Sequence, residues 1–235
     1  MDITFLFVCK ANICRSPGAA AIFRHRLREY QQDGLVAVRS AGTDADPGQP
    51  SCPSALRAVG RSVPDEFGLA ERTSVKLQPG MLERATLVLA ADRETSASAL
   101  RMAPSVRPRL FTMVEAARLA SFVLDGSERQ TEPVATPELV TIRPRPAASP
   151  ANSIRWFTTE MNAARGQLPV PHEARGRWWR SKTSPGWNDE VPDAHQGAGA
   201  GDHVRTFAIV TMSMNSFAES VSRVITPATT SAATS

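Results

Sequence analysis

The first apolar block of the chain, Ile3-Thr4-Phe5-Leu6-Phe7-Val8, lacks both the alternation of a half-exposed strand and the spacing of a helix. A short continuous run of this kind predicts a strand buried on both faces. Ala19, Ala20, Phe23 and Leu27 then share one helical face, which predicts a helix over residues 17–30. Ser16 falls at its N-cap and Pro17 in its first turn, where each is favoured. Val36-Ala37-Val38-Arg39-Ser40 reads as a second strand, running into Ser40-Ala41-Gly42-Thr43. Turn residues over 44–53 lead to a short helix over 54–59, and Ala85-Thr86-Leu87-Val88-Leu89-Ala90 is a third buried strand. Asp92 is placed to cap a helix reaching Met102, and Arg109-Leu110-Phe111-Thr112 is a short fourth strand before a helix over 114–124. Strand and helix alternate throughout, which predicts an α/β fold: a three-layer, doubly wound, four-stranded parallel sheet with helices on both faces.

The pattern breaks over residues 126–187, which are rich in Pro, Arg and Ser without a sustained period. Pro144-Arg145-Pro146 and Pro169-Val170-Pro171 favour extended backbone, and one helical stretch is read around 156–165. Order returns at Asp202, an N-cap for a helix over 203–225. Its expected inner face is Val204, Phe207, Ala208, Thr211, Met214, Asn215 and Ala218, with Phe217 and Val221 nearby. The expected organisation is an α/β domain over 1–125 and 188–226, a Pro/Arg-rich, partly disordered insertion over 126–187 before the last helix, and a flexible tail over 227–235.

Composition narrows the function classes. At 235 residues with 18 prolines, the chain can bury one sizeable core. A net charge of +4 suits anionic substrates, but the charge is too diffuse to argue for nucleic acid. Only Arg177-Trp178-Trp179-Arg180-Ser181-Lys182 interleaves basic and aromatic residues. Three cysteines, Cys9, Cys14 and Cys52, do not make a secreted disulfide framework, and no apolar stretch approaches membrane-spanning length. With no basic leader before the first apolar run, a cytoplasmic protein with no membrane partner is expected.

The candidate chemistry follows the first strand, in Cys9-Lys10-Ala11-Asn12-Ile13-Cys14-Arg15-Ser16-Pro17. A strand, a short loop and a helix N-terminus form a ready anion site, in which backbone N–H groups and Arg15 surround one phosphate. A thiolate at such a terminus is stabilised and becomes a nucleophile near neutral pH. The plainer reading of Cys9, a buried cysteine closing a strand, does not account for Lys10, Asn12 and Arg15 crowding the same strand end.

Taken together, these residues resemble the low-molecular-weight protein tyrosine phosphatase family. The likeness rests on Val8-Cys9, Asn12-Ile13-Cys14-Arg15-Ser16-Pro17, Ala20-Ala21-Ile22-Phe23-Arg24, Ser40-Ala41-Gly42-Thr43, the Leu87-Val88-Leu89 strand with Arg93, and Leu110-Phe111-Thr112 with Glu115 and Leu119. It covers about 2–124 and 189–225, with Val191-Pro192-Asp193-Ala194-His195 nearest to the family's late Asp-Pro. The resemblance implies a phosphomonoester hydrolase working through a phosphocysteine. Cys9 would be the nucleophile, Arg15 the clamp on phosphate and Asp193 the general acid and base, while Asp189, Glu190 and Asp202 compete for that last role. Lys10, Ala11, Asn12, Ile13, Cys14 and Ser16 would form the binding loop, with Ser16 bonded to the Cys9 sulfur and Asn12 bracing the loop. No metal or other cofactor is required, because Arg15 and the backbone supply the positive charge. The implied substrate is a phosphotyrosine protein or a small aryl phosphate.

The chain departs from the family pattern at Ala11, where glycine is usual, at Ala20, where an acidic residue is common, and at Leu69, near a frequent histidine. Ala194-His195 replaces a proline and an aromatic wall, and residues 44–50 lack the opposite aromatic, so a wide slot is expected. Cys14 is placed either for a reversible disulfide with Cys9 or as a small buried residue, and Cys52 reads as incidental. Two alternatives accompany the hydrolase. One is arsenate reduction, although residues 90–124 hold no resolving cysteine. The other is a catalytically weak phosphate-binding protein, with Trp178, Trp179 and Trp187 as an anchoring surface.

Overall fold

The computed structural model describes residues 3–64, 68–129, 142–143, 145, 149–168, 189–195 and 201–226. Four strands, β1 (Ile3–Cys9), β2 (Val36–Gly42), β3 (Leu87–Ala90) and β4 (Leu110–Thr112), form one parallel sheet in the order β2-β1-β3-β4. The helices are α1 (Arg15–Glu29), α2 (Pro53–Val59), α3 (Pro79–Arg84), α4 (Arg93–Met102), α5 (Met113–Arg129), α6 (Pro150–Ala163) and α7 (Gly201–Ile225). The expected doubly wound α/β architecture is the one observed.

Each face of the sheet builds its own core, as a three-layer fold requires. On one side Phe5, Phe7, Leu87 and Phe111 pack with residues of α1, α5, α6 and α7. Phe23 lies 5.6 Å from Phe5 and 5.6 Å from Phe217, measured between ring centroids, so three distant segments meet in one aromatic cluster. On the other side Leu6, Val8, Val88 and Leu110 pack with Leu82 of α3, Ala99 of α4 and Val106. Gly18 lets α7 approach α1, because a Cβ there would lie 2.3 Å from the Phe207 ring.

Several boundaries differ from expectation, each for a local reason. The helix α1 begins at Arg15 with Cys14 at its N-cap, so Ser16 is inside the first turn and turns its hydroxyl beneath the loop. The third strand starts at Leu87, since Ala85 closes α3, a six-residue helix with one buried position and therefore no visible period. The helix α5 continues to Arg129. The stretch read around 156–165 is α6, whose Ile154, Phe157 and Met161 are buried in the main core. That part of 126–187 therefore packs with the α/β domain. On α7 the inner stripe holds the expected Phe207, Met214, Phe217, Ala218 and Val221 together with Val210 and Val224, whereas Val204 and Ala208 face solvent. Residues 169–188, with their tryptophans, and 227–235 lie outside the described residues.

Candidate active site

Register gathers the site at the carboxyl end of the sheet. Cys9 pairs with Gly42, and Val8 pairs with Ala90, so β1, β2 and β3 end level with one another. The chain passes from β2 to β3 across β1, and ligands bind at such a switch of strand order. The loop after Cys9 is held by its carbonyls: Thr43 donates its N–H to the Cys9 oxygen at 2.9 Å, and Asp44 to that of Lys10 at 2.9 Å. Cys52 donates to the Ile13 oxygen at 2.8 Å. Gly42 makes this closeness possible, since a Cβ there would lie 2.5 Å from the Lys10 oxygen and 2.9 Å from the Asn12 nitrogen.

Cys9 is buried, with its sulfur 3.0 Å from the Ser16 hydroxyl and 3.3 Å from the Asn12 N–H. Asn12 adopts φ +56°, a left-handed conformation that asparagine tolerates. Its amide donates to Ser16 Oγ at 2.8 Å, and its Oδ1 accepts from the Val75 N–H at 2.9 Å. A relay therefore runs from Asn12 through Ser16 to the Cys9 sulfur. Ala11 replaces glycine without strain, because the positive φ in the loop falls on Asn12. Lys10 is exposed on the rim, Ala11 and Ile13 are half-buried, and Cys14 and Ser16 are buried behind the loop. Burial, followed by the neighbouring Cys52 and Cys9, pushes the Cys14 thiol far up.

Arg15 is the centre of the cluster. It is 4% exposed, and its guanidinium meets Asp92 at 2.5 Å, Asp193 at 2.9 Å and the Val191 carbonyl at 3.3 Å. Burial opposes its charge, but Cys9, Asp193 and Asp92 outweigh it and raise its pKa. Asp92 is also buried against its charge, yet two hydrogen bonds involving Thr95 and the Arg15 charge hold its carboxyl below the ordinary value. The sequence pattern marks Asp92 only as a helix cap. It fills that role through Thr95 N–H at 2.7 Å and uses its other oxygen for Arg15. Its position directly after a buried strand was the signal available.

The segment carrying Asp193 is tied to the sheet by Val191, which is fully buried and donates to the Ala91 carbonyl at 2.7 Å. Thr206 of α7 holds the Pro192 carbonyl at 3.1 Å. The competing carboxylates face elsewhere: Asp189 pairs with Arg118, and Glu190 accepts from the Arg93 N–H at 3.1 Å. Asp202 lies in the first turn of α7. Asp193 lines a cavity of about 450 Å³ together with Arg15, Lys10, Asp44, Asp92, Glu94 and Arg101. Among the described residues no aromatic ring lines it. His195 instead meets the edge of His203, with ring centroids 4.9 Å apart. Burial, then the neighbouring His195, lowers the pKa of His203 from its ordinary value.

A buried thiol in the loop after β1 and a buried arginine bonded to two carboxylates thus share the carboxyl end of a doubly wound sheet. The chain matches the family described as low molecular weight phosphotyrosine protein phosphatase over residues 4–121, and it belongs to that family. It is 34% identical over 116 residues to a protein-arginine-phosphatase of Bacillus subtilis, covering 49% of this chain and 71% of that one. It is 33% identical over 111 residues to a low molecular weight protein-tyrosine-phosphatase of Streptomyces coelicolor, covering 46% and 63%. Among solved structures, a low molecular weight protein tyrosine phosphatase from Bacillus subtilis superposes with TM-score 0.55 at 19% identity, over 94% of this chain and 98% of that one. Wzb of Vibrio vulnificus, solved with benzylphosphonate, superposes with TM-score 0.53 at 13% identity, over 93% and 99%. Members of this family are cysteine-dependent phosphatases.

Proposed function

We propose that the chain is a phosphomonoester hydrolase in which Cys9, Arg15 and Asp193 carry the reaction, with phosphotyrosine on a protein, or a small aryl phosphate, as substrate. The observation that supports this most is the convergence on Arg15 of the Cys9 loop and the Asp193 segment, 178 residues apart in sequence. Cys9 thiolate attacks phosphorus in line, an S–P bond forms and the bond to the leaving oxygen breaks. Protonated Asp193 gives its proton to that oxygen. Arg15 and the loop N–H groups take up the equatorial charge. Water then attacks phosphorus, Asp193 accepts its proton, and the S–P bond breaks to return Cys9 as thiolate. Ser16 donates to that sulfur and eases its departure, while Asn12 holds Ser16. With all three cysteines unpaired, the chemistry fits a reducing cytoplasm.

A second substrate reading is favoured by the cavity wall. Asp44, Glu94 and Asp193 offer carboxylates where a phenyl ring would need apolar contact, and a phosphoguanidinium group would be received by them. A pre-steady-state burst with p-nitrophenyl phosphate tests the hydrolase: a burst in wild type, absent in Cys9→Ser, is expected. Vanadate binding with no phosphate released from any ester would leave a binding module instead. Competing phosphotyrosine and phosphoarginine peptides in one assay then separates the two substrate readings.

A further inference from the structure

Outside the residues that line the cavity, four segments bring sulfur and imidazole together. Cys14 comes from the loop, Cys52 from the start of α2, His195 from the segment after Asp193, and His203 from the first turns of α7. The ligand atoms of Cys14, His195 and His203 lie within 4.8 Å of one another. Cys52 Sγ lies 3.4 Å from His203 Nε2. A tetrahedral zinc ion, with Zn–S of about 2.3 Å and Zn–N of about 2.0–2.1 Å, sets such atoms roughly 3.6 Å apart. The Cys52–His203 pair already has that spacing, and the other groups need to close by about 1 Å. His195 is exposed, whereas Cys14 and His203 are buried, so the exposed ring is the one free to move. The proposed reaction uses none of these side chains.

We propose that Cys14, His195 and His203 bind Zn²⁺, with the fourth position open to Cys52 or water, and that the bound ion inhibits the enzyme by clamping the Asp193 segment to the loop. A mixed thiolate and imidazole set is the donor chemistry zinc prefers. Binding releases each ligating thiol proton to solvent, with no change of oxidation state. Inhibition follows from position. His195 is two residues beyond Asp193 and donates its N–H to Asp193 Oδ1 at 3.0 Å, while Cys14 precedes Arg15. An ion joining them fixes the carboxylate against the guanidinium, where it cannot swing to a leaving group. The ion is regulatory, so the expectation of a metal-free reaction is unaffected.

Co²⁺ is the probe, used with a thiol-free reductant, because its absorption reports tetrahedral geometry and thiolate ligation without any turnover. Wild type and Cys9→Ser should both show intense visible bands and a sulfur-to-metal charge-transfer band that Zn²⁺ abolishes. Cys14→Ser should weaken the charge-transfer band, with Cys52 the remaining thiolate, or lose the ion altogether. Loss of even an outer partner of a metal site costs about 10–100-fold in affinity, so His203→Gln should weaken binding by at least about 100-fold. His195→Ala, a change on the exposed surface, should do the same without disturbing the fold. Zn²⁺ inhibition of aryl phosphate turnover should weaken in parallel in the two histidine variants. The proposal is overturned if wild type shows no tetrahedral bands. It is equally overturned if Cys9→Ser loses them while His203→Gln and His195→Ala keep them, since the ion would then sit on the nucleophile.

Discussion

Removing the Asp92 carboxylate should reveal how strongly Arg15 depends on it. The two oxygens of Asp92 are committed to different partners: Oδ1 caps α4 through the Thr95 N–H, and Oδ2 meets the Arg15 guanidinium at 2.5 Å. Losing an N-cap costs about 1 kcal/mol. Losing a hydrogen bond to a charged group costs about 1.5–3 kcal/mol. Leaving a buried charge wholly unpaired would cost more, but Asp193 still faces Arg15 at 2.9 Å. Asp92→Ala should therefore destabilise the fold by about 2–4 kcal/mol in urea unfolding near pH 7. Asp92→Asn keeps one acceptor oxygen for the cap but points an NH₂ donor at the guanidinium. It should cost about 1 kcal/mol less than the alanine.

The pH dependence separates charge from shape. A carboxylate held below its ordinary value of 3.8 stabilises the fold above that value, and loses this contribution as the pH falls through its depressed pKa. Once Asp92 is protonated it resembles asparagine, so the gap between wild type and Asp92→Asn should close as the pH drops below 3.8. Aryl phosphate kcat/KM should fall at least about tenfold in Asp92→Asn, equivalent to about 1.4 kcal/mol of transition-state binding. Two results would refute this account: a stability gap that does not change with pH, or an Asp92→Ala variant within about 0.5 kcal/mol of wild type.

Other substitutions test the remaining parts. Gly42→Ala pushes a methyl group into the Lys10 carbonyl and the Asn12 nitrogen, so vanadate affinity should collapse, with about 1–3 kcal/mol lost in thermal unfolding. Ser16→Ala removes the donor to Cys9 and should slow the hydrolytic step more than the burst, which rapid-quench kinetics would resolve. Asp193→Asn should slow esters with poor leaving groups far more than p-nitrophenyl phosphate. Asp189→Asn should not, because that carboxylate belongs to Arg118. Phe217→Ala should cost about 3–5 kcal/mol in urea unfolding, since its ring fills the cluster with Phe5 and Phe23.

The local elements were legible because their causes are local. A run such as residues 3–8 predicts a buried strand, Asp92 is placed to cap a helix, and the thiol, the arginine and the loop between them lie within seven consecutive residues. The loop chemistry was therefore readable without any fold. Helix α3 was hidden because one buried leucine leaves no period. The helix α6 was legible around 156–165, but its start at Pro150 lies earlier, among prolines that favour extended backbone.

What tertiary structure decided is which distant groups face one another. In the chain, Asp193 stands out from Asp189, Glu190 and Asp202 only through its likeness to the family's late Asp-Pro. The contacts come from the fold: Val191 is buried and bonded to Ala91 after β3, Asp193 meets Arg15, and Asp189 pairs with Arg118. Asp92 joins the site because strand order places the end of β3 beside the end of β1. The meeting of Cys14, Cys52, His195 and His203 likewise depends on α7 docking against α1 through Gly18. Short-range sterics and hydrophobic period are written along the chain, whereas electrostatic partnership depends on distances that exist only once the sheet has formed and the helices have closed over it.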